Sequence, residues 1–427
     1  MIQGSAFRTT RECASVCSRR VAFALRRHWK TTVAITALAA GVPLWAQQSR
    51  MYRDGNSWVE EVTGTLPAGR EVHVNTDLGD VRVQGNSAMC TYMLRKRSYA
   101  ASQEAAKRQF EQFRFNAVRS GEVDAFEGRA TTRDMNRFGV EFVVQVPSTL
   151  DMVKVETGGG ALGFRSLHGS VVGVTGGGGV KLDDIVGPVK IKSGGGNVEG
   201  GNLGADVYLT VQGGSVHLES VAGQSRIKAG GGKVFLGSSR GADIETGGGS
   251  IEVRKCTGDL RASTGGGNIN LGDIGGRVRA DTTGGSVHVS SAKGRAEVTT
   301  GGGSVEMYKL VQGAQVETGA GAITVEFVGA RGSFSDSSLH TAAGDVTVFL
   351  PPTLPVTVHA SSDMVSGSGI HSDFPGLQVH WEGGKVGPKS AWAEGQLNGG
   401  GAMLRVRTTI GQIDFRRSQK RGRYGYA

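Results

Sequence analysis

The sequence predicts an all-β protein, a single-chain β-helix (β-solenoid) with about 18 residues per coil and two short strands in each, and three observations predict it. Glycine clusters begin at residues 158, 176, 194, 212, 230, 247, 265, 283, 301 and 319, a spacing of 18 broken by a single step of 17. Apolar and polar residues alternate on both sides of each cluster, which is the period of a strand. The chain carries 70 glycines in 427 residues but only 9 prolines and no three-residue period, so collagen is excluded. An apolar content of 38% with 6% aromatics fills a long, thin interior better than one large core.

The first segment, residues 1–46, reads as an export signal. Arginines from Arg8 to Arg27 and Lys30 precede "TTVAITALAAGVPLWA", with a cleavage site expected after Ala46. Its apolar run is shorter than the roughly 20 residues of a membrane span, so a cleaved signal is preferred to an uncleaved anchor. Residues 58–150 form a strand-rich cap: "REVHVNTDLGDVRVQG" and "VEFVVQVP" alternate, and "ASQEAAKRQFEQFRF" between them is expected to supply one short helix that covers the open end of the solenoid.

Residues 151–350 are the solenoid proper. One column of equivalent positions runs Val155, Gly173, Ile191, Leu209, Ile227, Ile244, Ala262, Ala280, Val298, Val316, and another runs Leu162, Val180, Val198, Val216, Val234, Ile251, Ile269, Val287, Val305, Ile323; both face inward. A further inward column is Leu167, Ile185, Leu203, Val221, Cys256, Ile274, Ala292, Leu310, Val328. A second turn is expected near Gly169, Gly187, Gly223, Gly241, Gly258, Gly276 and Gly294. The triple glycines are explained by stacking at about 4.8 Å, which demands tight turns without side-chain collisions and favours positive φ. Beside them Thr157, Thr175, Ser193, Thr246, Thr264, Thr282, Thr300 and Thr318 are expected to form a hydroxyl ladder. About ten coils would make a rod on the order of 50 Å long.

Two other repeat folds are excluded. Left-handed hexapeptide helices repeat their apolar residues every six positions, whereas here they pair nine apart, and calcium-binding nonapeptide rolls need an Asp in each turn, where this chain has Ala161, Asn197, Ser215, Lys233, Ser250, Asn268, Ser286 and Ser304. Residues 351–415 alternate again and are expected to add C-terminal coils and a cap, and residues 416–427 are a solvated basic tail.

The formal charge of +10 falls to +4 without residues 1–46, and to −1 without the five cations from Arg416 to Arg423. Nucleic acid is therefore excluded as a partner, since it requires a basic face rather than a basic tail. Cys13 and Cys17 lie in the signal region; the remaining pair, Cys90 and Cys256, makes no disulfide framework, and both are expected to be buried and inert.

The order of "VNTDLGDVRVQG", a charged helical insertion, "VEFVVQVPSTLDMVKVETGGG", tandem "V-x-T-G-G-G-x-V-x-L" coils, "SGSGIHSDF" and "LNGGGAMLRVRTTIGQIDF" resembles the bacterial putative-adhesin family of β-strand-repeat proteins, a domain of unknown function related to head-GIN adhesin-like domains. The resemblance covers residues 60 to 415. It implies an exported β-helix with an adhesion role, and no catalytic residues to carry over.

Candidate chemistry is sparse. The outward column Asp243, Arg261, Arg279, Glu297 stacks opposite charges; it reads as a solvated ion-pair ladder, with a glycan-binding surface as the sharper alternative. Asp183 and Asp184 are adjacent, which on a strand sends them to opposite faces, and a turn is the preferred reading. His217 and His288 share a column but lie four coils, about 19 Å, apart, too far to hold one metal. Trp381 and Trp392 suit either sugar stacking or end capping. No catalytic residue, cofactor or metal is assigned. The expected protein is an exported, non-enzymatic adhesin-like binding surface or envelope scaffold, in the periplasm or at the cell surface, with an envelope protein or a glycan as partner and membrane contact only through an uncleaved N-terminal segment. The alternatives are a carbohydrate-active β-helix enzyme or glycan-binding protein, and an envelope-stress sensing component.

Overall fold

The computed structural model describes residues 47–132, 138–330, 332–364, 369–382 and 390–418, all within one unit that runs from Trp45 to Ala427. The expected signal, residues 1–46, and the basic tail from Lys420 onward lie outside the described residues. The fold is all-β, with one long, mostly parallel, unclosed set of strands in a solenoid-like arrangement. Through most of the repeat each strand pairs with the strand two further along the chain. Leu162 faces Val180, which faces Val198, then Val216 and Val234, each 18 residues on, and Val234 faces Ile251, 17 residues on. Val153, Val171, Val189 and Val207 pair in the same way.

The interior follows from this register. In one rung Leu260, Ala262, Thr264, Ile269, Leu271 and Ile274 all point inward and are at most 4% exposed. The step from Leu271 to Ile274, like that from Phe164 to Leu167, is three residues rather than two, because one extra residue stands at this point in each rung and the register between rungs is kept. That residue adopts left-handed φ at Ser166 (54°), Asp184 (56°) and Lys309 (51°).

Three sequence expectations are corrected here. Val328 does not continue the inward column: Leu310 pairs with Phe327 across a register shift, and Val328 is 44% exposed. The two-short-strands pattern fails at Val216–Ala229 and Val234–Thr246, which run unbroken through the expected second turn. The one-residue deletion sits at this corner, because the offset changes from 18 at Val221 and Ser239 to 17 at Gln224 and Gly241. Buried Ser239 takes a position that is aliphatic in most rungs, bonding Ser225 Oγ at 2.9 Å and the Gly241 carbonyl at 2.7 Å.

The third correction concerns the threonine column, whose hydroxyls are buried and bond to backbone rather than to one another. Thr300 Oγ1 donates to the Gly285 carbonyl of the preceding rung at 2.8 Å and accepts from the Gly303 N–H of its own at 3.2 Å. Thr264 and Thr282 repeat the arrangement. The glycines have a matching logic. A Cβ on Gly285, the third of its cluster, would lie 2.0 Å from the Gly267 oxygen, while one on Gly284, the middle residue, would meet nothing within 4 Å. Close approach of rungs, more than positive φ, requires the third glycine; left-handed φ occurs at only some of them, such as Gly196 (81°) and Gly214 (101°).

Towards the N-terminus, Glu71–Thr76 and Asp80–Gly85 add a parallel rung beneath Met152–Thr157 and Leu162–Leu167. Val123–Ala130 and Phe138–Val146 continue the parallel pairing beyond them, and the pairing then turns antiparallel, through Cys90–Ser98, Ser57–Leu66 and Gln48–Asp54 on one side and Phe113–Ser120 on the other. The helix Gln103–Glu111 starts at Ser102, whose side chain accepts from Ala105 N–H, and it buries Ala106 and Phe110, the latter ring 6.1 Å from that of Phe138. At the other end Ala402–Ile410 pairs in parallel with both Ser337–Ala343 and Val356–Met364. Val356–Met364 then carries two antiparallel strands, Ser390–Leu397 and Gln378–Glu382.

Candidate functional site

The outward side chains of the strand before each glycine cluster make a continuous face. One column pairs Lys190, Tyr208, Arg226, Asp243, Arg261, Arg279, Glu297 and Gln315 in successive rungs. Beside it run Lys192, Thr210, Lys228, Glu245, Ser263, Asp281, Thr299 and Glu317. The register brings Asp243, Arg261, Arg279 and Glu297 onto four adjacent rungs. Arg279 bonds Asp281 at 3.0 Å and lies 3.6 Å from Glu297, which Arg295 approaches at 3.9 Å. The Asp281 hydrogen bond and charge hold the Arg279 guanidinium above its usual range. Asp243 pairs backward with Arg226 at 3.5 Å, so Arg261, between Asp243 and Arg279, makes no ion pair among the described residues.

The strand after each cluster builds a second outward face, and sequence reasoning missed what forms there. Gly163 and Gly201 stand where neighbouring rungs carry long side chains, and the absent atoms leave a groove of about 750 Å³. Two ion pairs rim it, Arg165 with Asp183 at 2.8 Å and Lys181 with Glu199 at 3.4 Å, with a hydrogen bond between His217 and Glu219 at 2.7 Å. The signal was present in the sequence as glycines outside the repeating clusters. Asp183 and Asp184 both reach solvent from within the strand Val180–Ile185 and not from a turn, because Asp184 adopts a left-handed φ. His217 stacks on Phe235 (4.4 Å, 14°), whose ring centroid lies 4.8 Å from the Arg254 guanidinium, while His288 pairs with Glu306 at 3.4 Å.

Both described cysteines are free and buried. Burial, and then the Asp124 charge, push the Cys90 thiol far up; burial also raises Cys256. Asp124 is itself pushed up by burial, against the Gly69 N–H that it accepts at 2.9 Å. Trp392 stacks against His380 at 5.5 Å and is 37% exposed, and Trp381 on the same outermost strand as His380 is 50% exposed. Among the described residues no group of three His, Cys, Asp or Glu is placed to hold a metal ion, and no helix is long and apolar enough to cross a membrane.

No family model and no curated protein matches the chain. Solved structures are similar to it. One, described as a "putative cell adhesion protein" from Clostridium sporogenes, is 8% identical, with 84% of this chain and all of that chain covered at a TM-score of 0.18. A "putative adhesin" from Parabacteroides distasonis is 13% identical over 68% of this chain and 96% of its own, with a TM-score of 0.28. A "putative lipid binding protein" from the same organism is 12% identical over 70% and 98%, with a TM-score of 0.27.

Proposed function

We propose that this protein is an exported, non-enzymatic, adhesin-like binding scaffold of the cell envelope, whose strands and turns close into β-helical coils of about 18 residues. The observation that carries the reading is the face through Asp243, Arg261, Arg279 and Glu297. It offers one polar or charged group per strand spacing, about 4.8 Å, on rungs fixed by buried hydroxyl and carbonyl bonds. Such a face matches an extended partner, a glycan strand or an elongated envelope protein, better than a small molecule, which favours a concave site. Ion pairs along it are exposed and screened by solvent, so they can be exchanged for a ligand at little cost.

A glycan array and a pull-down from envelope fractions, each run with wild type and with Arg261→Ala/Arg279→Ala, test the reading, and soluble products are followed by mass spectrometry. Retention without turnover, weakened by the double substitution, is expected. Released oligosaccharide would instead identify a carbohydrate-active enzyme, and a single stoichiometric membrane partner would identify a sensing component. External protease on whole cells separates surface display, where the protein is cut, from a periplasmic site, where it is spared.

A further inference from the structure

The face described above is not uniform, and its charge is distributed in a way that selects a ligand class. Lys190 and Lys192 occupy one rung, Tyr208 and Thr210 the next, and Arg226 and Lys228 the one after. Four cations thus surround one ring across two strand spacings, about 9.6 Å. Val172 and Val174 bound the patch on one side, with Lys154 and Glu156, themselves ion-paired at 3.0 Å, one rung beyond them, and Asp243 and Glu245 bound it on the other. Arg226 and Lys228 reach those carboxylates at 3.5 and 2.9 Å. Lys190 and Lys192 have no ion-pair partner among the described residues and are exposed. Lys190 and Lys192, two residues apart on the same face of one strand, repel each other, a cost that an anion would relieve.

Tyr208 decides what kind of anion. Its ring is 41% exposed, with the Arg226 guanidinium 5.8 Å from the centroid. A flat ring between two rows of cations matches a polymer in which an uncharged sugar face alternates with an acidic group, the sugar lying on the ring and the acid on the ammonium or guanidinium groups. Duplex DNA fits less well, because it spreads charge over a larger face than four cations cover, on a body whose net charge is close to zero.

Resting on the binding reading above, we propose that Lys190, Lys192, Tyr208, Arg226 and Lys228 form a subsite for an acidic polysaccharide, a polyuronate being the simplest chemistry of that class. The test titrates the protein with alginate as the polyuronate, dextran as the neutral control and a short DNA duplex as the non-sugar polyanion. Alginate is expected to bind, with affinity falling at least about tenfold between 50 and 200 mM salt. Lys190→Glu/Lys192→Glu is expected to weaken it by a further factor of about ten or more. Tyr208→Ala should weaken it several-fold without changing the salt slope, while Lys293→Glu, on a turn away from this face, should leave it unchanged. Each variant's far-UV spectrum and unfolding midpoint are matched to wild type. Absent alginate binding at 50 mM salt, indifference to the lysine reversal, or equal affinity for DNA would each overturn the proposal. Binding of neutral glycans on the array, together with any of those results, would remove this subsite and leave the broader binding role standing.

Discussion

Replacing two adjacent glycines of one cluster should give opposite results. In Gly285→Ala the new methyl would sit 2.0 Å from the Gly267 oxygen and 2.5 Å from its carbon. Relieving that overlap requires the two rungs to part by more than about 1 Å at this corner, since ordinary carbon–oxygen contact begins well above 3 Å. Such a shift stretches the Ile269 N–H to Ser286 carbonyl bond (3.0 Å) and the Thr282 hydroxyl to Gly267 bond (3.0 Å) together. Overpacking costs about 1–3 kcal/mol, and each weakened bond adds up to about 1 kcal/mol, so a loss of about 1–5 kcal/mol is expected. Gly284→Ala meets no atom within 4 Å and has no left-handed φ to strain, so the lower entropy of the unfolded chain should leave it neutral or more stable by up to about 1 kcal/mol. Urea unfolding followed by circular dichroism measures both, with amide exchange around residues 265–305 to localise the effect if rungs unfold in stages. Equal destabilisation by the two substitutions would refute the account of rung spacing.

Thr300→Val removes a hydroxyl that serves the Gly285 carbonyl and the Gly303 N–H, and should cost about 2–4 kcal/mol in the same assay, whereas Thr300→Ser should stay within about 1 kcal/mol of wild type. In the N-terminal strands burial raises the Glu61 carboxyl, but hydrogen bonds and charges from Arg50 and Arg95 outweigh it and hold Glu61 below its usual range. Its contribution is therefore present above the unfolded carboxylate range and lost as pH falls through the lowered value; Glu61→Gln should flatten the acid limb of a stability–pH profile, and an unchanged limb would contradict this. Cys90 and Cys256 should resist a thiol reagent at pH 8 in the native protein and react on unfolding, as read by peptide mapping; native labelling of either would show that its rung is open.

The parallel register was legible in the sequence because a constant interval forces identical environments on equivalent residues, so Leu162, Val180 and Val198 could be placed without any structure. Where the interval slips, that logic fails. Phe327 displaced Val328 at the register shift, and the deletion near Gly241 fused two expected strands into Val234–Thr246. The strand Gln48–Asp54 was missed because it carries no apolar alternation; it pairs at the edge with little burial. The charged column was legible as a stacking of positions, but which cations pair was not, since side-chain reach across rungs decides it, as Arg226 and not Arg261 shows for Asp243. The groove over Gly163 and Gly201 depends on missing atoms, which alignment of side-chain types passes over.

The stacking of residues one interval apart is tested most directly by cysteine pairs on the outer face. Arg261→Cys/Arg279→Cys joins residues in register on adjacent parallel strands, about 4.8 Å apart, within the span of a disulfide. Under mild oxidation this pair is expected to close fully within one molecule, while Arg261→Cys/Asp281→Cys, two residues out of register, stays largely reduced. Failure of the first pair to close, or equal closure of the second, would contradict the register on which both the interior and the binding face depend.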